Sequence, residues 1–479
     1  MAGLLLTDGY KFSMAEAGWP LREETFYASH RRGGLQVLPF DVEKAVREVL
    51  PVPQPGDWEF LAKHDYEMSA GFKAAIERAQ QVRIDALPRN AVFHDREPIF
   101  SITGPSAVVS WLEPLVLMWS YRIQVATVAL LRPAELAASV ATVTCEAQRR
   151  IVLETLDAVG VKAPPITVDS EGYVARVTAR VKELAEVTGS AERLFEVGLR
   201  AATCVEQHLL ALDGCKAAGL TRTSNVYGAR EKGLIPVGTM GHEHVQRFGS
   251  DDAAFRAMVE RRANRSSFLL DTFDTIKSGI PAAYAIIKER QGRGDSIRYD
   301  SGDKEAQYRF ATKLAVELGL RPVQILEDGF DTELTRRFEA LRVEAGWKPE
   351  EQVYGYGGFI VAQPSGTPLT RDRVAAVYKL TQTGKRPCMK FGNEAGSGKQ
   401  SVPGRPVLWR RRAGASGPFG VVAQEGEAVA EGYALLTGAP PAASPALDEA
   451  RSARAEDLRL VHSPQTQALI TRLTKEAFA

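Results

Sequence analysis

The sequence predicts an α/β fold: an irregular βα barrel, with an α+β domain built from the N-terminal and C-terminal segments. Three observations predict it. Between residues 126 and 362, helical segments alternate with short apolar runs, the rhythm of parallel strands joined by crossover helices. Each run ends in a polar cluster, where a βα barrel keeps its site residues. The flanking residues mix short strands and helices without that rhythm.

Residues 1–125 form the first predicted domain. FYASH and EPIFSI read as strands and GFKAAIERAQQ as a helix. The most apolar stretch, AVVSWLEPLVLMWSY, is interrupted by Glu113-Pro114 and is too short to span a bilayer, so a buried helix is expected. The barrel domain, 126–362, follows. The helix TCVEQHLLALDGCKAAG leads to TRTSN, and GLIPV leads to GTMGH. After SDDAAFRAMVERRA comes SFLL, ending in DTFDT. After AAYAIIKER comes SIRY, ending in DSGD. After EAQYRFATKLAVELG comes VQIL, ending in EDGFD, and QVY ends in GYGG. Helix N-caps also need Ser, Thr, Asp or Asn at such places. One cap per strand does not account for DTFDT, DSGD and EDGFD together. Residues 363–479 hold a hairpin, VYKLTQTGKRPCMKF, turning at Thr-Gly-Lys. GAPPAASPA reads as a loop, and SPQTQALITRLTKEAF as a helix docking on the body.

Composition narrows the partners. The 479 residues, 44% hydrophobic and 25% charged, suit a globular chain of two or three domains. Lys+Arg 60 against Asp+Glu 59 gives no basic field for nucleic acid, while small phosphorylated ligands need only local charge. The four cysteines form no C-x-x-C pair, which argues against a zinc knuckle and for ordinary buried thiols in a reducing cytoplasm. MAGLLLTDGYKF lacks the basic start and long apolar run of a signal peptide, so no membrane partner is expected.

The strand ends carry the chemistry. Asp271, Asp274, Asp300, Asp303, Asp328 and Asp331 would repel one another around a common mouth unless cations or hydroxyls intervened. Mg²⁺ with a polyphosphate, or a ribose diol, would resolve the repulsion. Gly355, Gly357 and Gly358 follow a strand and let backbone N–H groups approach a phosphate. Arg31, Arg32, Arg200 and Arg298 suit planar carboxylates and phosphates. His242-Glu243-His244 follows a Gly-Thr-Met-Gly turn. A His-x-His metal site needs further ligands, commonly histidine, and only His462 lies downstream, so no protein metal site is expected. A reactive histidine fits better, with Gly238 and Gly241 opening space for a phosphate around one imidazole. Periodicity leaves open which of His242 and His244 it is.

Taken together, LLTDGYKFSM, FEVGLR, TSNV, GTMGHE, DTFDT, IRYDSGD, DGFD, YGYGG, VYKL and VPGRPVLWR resemble the nicotinate phosphoribosyltransferase family, related to the nicotinamide phosphoribosyltransferases. The resemblance implies joining of nicotinate to phosphoribosyl pyrophosphate, giving nicotinate mononucleotide and pyrophosphate, with Mg²⁺ and with ATP as co-substrate. It implies phosphorylation of His242 by ATP, leaving His244 a neighbour. It makes Asp300 the holder of the ribose hydroxyls, Asp271 a further acidic site residue, and Gly355, Gly357 and Gly358 the binders of the 5′-phosphate. Arg200 and Arg298 become candidates for the nicotinate carboxylate or the phosphates, and Asp328 lies in the DGFD segment of the site. Tyr10 matches a tyrosine that stacks on the pyridine in the partner subunit's site, Arg32 is expected to reach phosphate across the interface, and a homodimer with shared sites is implied. Ser224 stands where the nicotinamide enzymes carry an aspartate, which favours nicotinate. A nicotinamide-preferring enzyme or a catalytically silent ligand-binding relative are the alternatives. Arg222 before TSN, His30 in FYASHRR and Ala201 after Arg200 depart from the family pattern.

Overall fold

The computed structural model describes residues 2–264, 266–291, 293–362, 369–391 and 400–477. Seven parallel strands curl into a half-barrel. Their spatial order is Ile235–Pro236, Arg222–Thr223, Leu194–Glu196, Gln352–Tyr356, Val323–Leu326, Ser296–Tyr299 and Ser267–Leu269. The sheet is open between its two edge strands. Five of these strands come from the predicted apolar runs. The exceptions are Arg222–Thr223, inside the polar cluster TRTSN, and Leu194–Glu196, both too short for periodicity to reveal. Helices Val205–Ala217, Asp251–Arg261, Ile280–Glu289, Lys304–Leu318 and Thr332–Glu344 alternate with the strands along the chain. Phe268, Ile297, Tyr299, Leu326, Tyr354 and Tyr356 bury the strands in one continuous core.

A second, antiparallel sheet has the order Arg386–Pro387, Ala376–Thr383, Glu23–His30, Phe100–Pro105, Arg83–Ala86. Its central pairing sets Ala376 against His30 and Thr383 against Glu24, joining the C-terminal segment to the N-terminal one. The hairpin turns at Gly384, whose φ of 55° suits glycine. A four-stranded sheet, Tyr433–Leu435, Pro406–Arg411, Gly420–Gln424 and Val461–His462, completes the C-terminal part, with the tail helix Pro464–Ala477 packed against it.

Two expectations need correction. Glu113-Pro114 does not interrupt the apolar stretch but opens a helix, Glu113–Leu131, because proline is tolerated in a first turn. That helix has 19 residues and is long and apolar enough to cross a membrane, yet 83% of its apolar window is buried inside the protein. The helix also runs through residue 125, where the first predicted domain ends. The second boundary, at 362, adjoins residues outside those described.

The polar clusters at the strand ends divide by task. Asp274 accepts from the N–H groups of Ile276 and Lys277, Asp303 from Ala306 and Asp331 from Leu334, so these three are caps. Asp271, Asp300 and Asp328 cap nothing among the described residues and are left for the site.

Candidate active site

The strand ends of the half-barrel face the strand Ala376–Thr383 across a cavity of about 590 Å³. His242 lies on its wall as the first residue of the helix His242–Phe248, 8% exposed. Its Nε2 is 2.8 Å from Lys390 Nζ and 3.1 Å from Asp300 Oδ2, and its Nδ1 is 3.1 Å from Thr272 Oγ1. The shorter contact assigns the Nε2 lone pair to the ammonium and the ring proton to Nδ1, donated to Thr272. Burial lowers the imidazole pKa and Lys390 lowers it further, while Asp271 and Asp300 oppose them. The ring is therefore neutral near pH 7, with its lone pair beside the cavity. His244 is fully buried and donates to the Ala254 carbonyl, so it is a core residue.

Asp300 accepts from Arg298 Nη2 at 2.8 Å. Burial alone would raise its carboxyl pKa, but His242, Arg298 and Lys390 reverse this and hold it well below the usual range. Asp271 lies behind the imidazole, off the cavity wall. Its Oδ2 is 3.8 Å from His242 Nε2 and takes the Ser301 hydroxyl, and its Oδ1 has no partner among the described residues. His242, Asp271 and Asp300 bring ligand atoms within 4.8 Å of one another, a set that could hold a cation. The expectation of no metal site sought further histidines, whereas the partners here are carboxylates from two neighbouring strands.

Arg298 also donates to Thr239 Oγ1 and the Met240 carbonyl, and its Nε lies 3.2 Å from Glu327 Oε2. This arginine ties three strand ends together. Gly355, Gly357 and Gly358 line the same wall. A Cβ on Gly355 would stand 2.6 Å from Glu327 Cγ and 2.7 Å from the Phe195 ring, so a side chain is excluded there. Asp328 lines the cavity with φ of 58°, a conformation Asp tolerates better than most residues.

Tyr10 reaches the cavity of its own chain, as does Arg32, whose Nη2 donates to the Asp372 carbonyl. The approach of Tyr10 explains Gly238. A Cβ on Gly238 would collide with the Gly9–Tyr10 backbone, and the Tyr10 ring lies against Gly241. Gly238 makes room for the helix Gly9–Ala17 rather than for a phosphate, whereas Gly241 lines the cavity.

Ser224 needs a different account. It is buried off the cavity wall, and its hydroxyl donates to Asp8 Oδ1 at 2.6 Å. The carboxylate of Asp8, at the N-cap of the first helix, thus stands directly beside Ser224. Of the departures, His30 is buried against Gln36, Arg222 bonds the Glu192 carbonyl, and Ala201 lines the cavity. Sequence reasoning missed Glu113, Glu327, Lys379 and Lys390, which all line the cavity. Glu113 had a signal, a lone charge in the most apolar stretch.

No family model matches the chain. A nicotinate phosphoribosyltransferase of Bacillus subtilis is 26% identical over 51% of this chain and 47% of its own length. A human nicotinate phosphoribosyltransferase is 25% identical over 85% of this chain and 76% of its own. A nicotinate phosphoribosyltransferase structure from Porphyromonas gingivalis superposes with a TM-score of 0.60 at 18% identity, over 84% of this chain and 96% of that one. The chain is thus similar in sequence to nicotinate phosphoribosyltransferases and shares the fold of one of them. It spans about half the length of the first curated relatives it matches. Of the family positions identified in the sequence, Tyr10, Arg32, Arg200, His242, Arg298, Asp300, Asp328, Gly355, Gly357 and Gly358 share one cavity. Ser224 and Asp271 stand behind its wall.

Proposed function

We propose that the protein is a nicotinate phosphoribosyltransferase. The observation that supports it best is the His242 imidazole beside Asp300 in one polar cavity, faced by arginines and a glycine-lined wall. The pyridine nitrogen of nicotinate attacks C1 of phosphoribosyl pyrophosphate, the C1–O bond breaks, and pyrophosphate leaves with the bonding electrons. C1 acquires positive charge in passing, so the protein's work is positioning, charge stabilisation and water exclusion. Asp300 is placed to accept from the ribose hydroxyls, and the backbone at Gly355, Gly357 and Gly358 to receive the 5′-phosphate. Arg298 is fixed by its four contacts and offers a stationary charge, whereas Arg200 is freer to meet the substrate carboxylate. Mg²⁺ arriving with the pyrophosphate would neutralise its charge, and Asp300 with the unpartnered Asp271 Oδ1 fits its preference for oxygen.

ATP coupling belongs to the same proposal. Lys390 withdraws from the His242 Nε2 lone pair, which attacks the γ-phosphorus of ATP; ADP leaves, and water later cleaves the P–N bond to release phosphate. Thr272, accepting from Nδ1–H, holds the imidazole in place. Incubation with γ-labelled ATP tests this step: wild type should carry acid-labile label and His242→Ala none. Persistent label in the variant refutes His242 as acceptor. Formation of nicotinate mononucleotide from nicotinate and phosphoribosyl pyrophosphate with Mg²⁺ tests the reaction itself, and its absence refutes the reading.

A further inference from the structure

One buried carboxylate of the cavity has no part in the chemistry above. Glu113 opens the helix Glu113–Leu131 and is 5% exposed. Its Oε2 accepts from Tyr10 Oη at 2.8 Å and meets Lys11 Nζ at 2.7 Å. Its Oε1 faces Arg200 at 3.8 Å and Lys379 at 4.0 Å. These partners come from three separated parts of the chain: the helix Gly9–Ala17, the turn Leu199–Ala201 and the strand Ala376–Thr383. Lys11 is shared with Glu243 at 3.1 Å, so Glu113 is left to balance the two cations on the cavity wall. Without it, Arg200 and Lys379 would face each other as like charges, and the Tyr10 hydroxyl would lose its acceptor.

We propose that Glu113 is a positioning residue that holds Tyr10, Arg200 and Lys379 in one arc, shaped for a planar aromatic carboxylate. The arc offers a ring face from Tyr10 and two cations for the carboxylate, the minimum for recognising such a molecule. This inference rests on the reading that the cavity binds nicotinate. It also carries a titration. Burial pushes the Lys379 ammonium down to about 7, and Lys390, Arg31 and Arg200 push the same way, while Glu113 opposes them. Lys379 is cationic below that value and neutral above it, so nicotinate binding weakens as pH rises through about 7. Removing the Glu113 charge moves this limb to lower pH.

The test compares wild type, Glu113→Gln and Lys379→Met, measuring nicotinate KM and kcat from pH 6 to 8.5 and nicotinate affinity by calorimetry. In Glu113→Gln the nicotinate KM should rise about tenfold with little change in kcat or in the KM for phosphoribosyl pyrophosphate. The limb should shift down by roughly one pH unit. In Lys379→Met the limb should vanish. An unmoved limb and unchanged nicotinate KM in Glu113→Gln overturn the proposal. So does a limb that survives in Lys379→Met, which decides the matter alone if Glu113→Gln does not fold. If wild type binds nicotinate without turning it over, the proposed reaction falls, and the pH dependence of binding still judges Glu113. Wild type that binds no nicotinate overturns both.

Discussion

His242 shows how far a single residue can be read and where reading stops. The motif GTMGH marked a reactive imidazole, but periodicity could not choose between His242 and His244, and the resemblance did. The structure separates the two: His244 spends its Nε2–H on a core carbonyl, while His242 keeps Nε2 between Lys390 and Asp300. Lys390 was not legible, since 148 residues separate it from His242 and only folding joins them. Asp300 raises the His242 pKa and Lys390 lowers it, so the two set its basicity in opposition. Asp300→Asn should therefore lower the His242 pKa further, visible as a downward shift of its imidazole titration by NMR. The same change should cut nucleotide formation by at least about a hundredfold. An unchanged titration would mean that the carboxylate does not govern the imidazole.

At the scale of elements, alternation of helix and apolar run was legible because each parallel strand is buried on both faces and each helix keeps a 3.6-residue period. What failed was meaning at short range. Leu194–Glu196 is too short to signal, and Gly238 was assigned to a ligand when it serves packing. The strand ends were legible as polar clusters, yet Asp274, Asp303 and Asp331 are spent on capping, and only the N–H groups of the following helices reveal it. Gly238→Ala tests the packing account. Its Cβ must displace the Gly9–Tyr10 backbone, and overpacking of this kind costs about 1–3 kcal/mol. The expected result is a lower melting temperature together with a raised nicotinate KM, because the helix carrying Tyr10 moves. A variant as stable as wild type would show that the first helix yields freely.

Across the whole molecule, two layers meet at the cavity, and the joint between them was invisible in the sequence because its partners are far apart. Arg247, on the half-barrel side, donates to both oxygens of Glu24 in the antiparallel sheet at 2.7 and 2.8 Å, with both side chains fully buried. Glu24→Ala leaves a buried guanidinium without its partner, which should cost about 3–5 kcal/mol in urea unfolding. Whether the layers then unfold together can be judged from pH. His30 belongs to the antiparallel sheet and His244 to the half-barrel side, and burial lowers their pKa values to about 4 and about 3. An unfolded chain protonates both near 6.5, so it binds more protons than the native state as pH falls below that value, and stability falls with it. Each imidazole contributes up to about 1.4 kcal/mol per pH unit, and His242, lowered in the same direction, adds to the loss. If one cooperative transition spans both layers, urea unfolding between pH 6.5 and 4.5 should show a single midpoint falling with the summed slope. His244→Gln should then remove its share from that one transition. Two midpoints, only one of which responds to His244→Gln, would mean that the layers are held at the cavity more loosely than the Arg247–Glu24 pair implies.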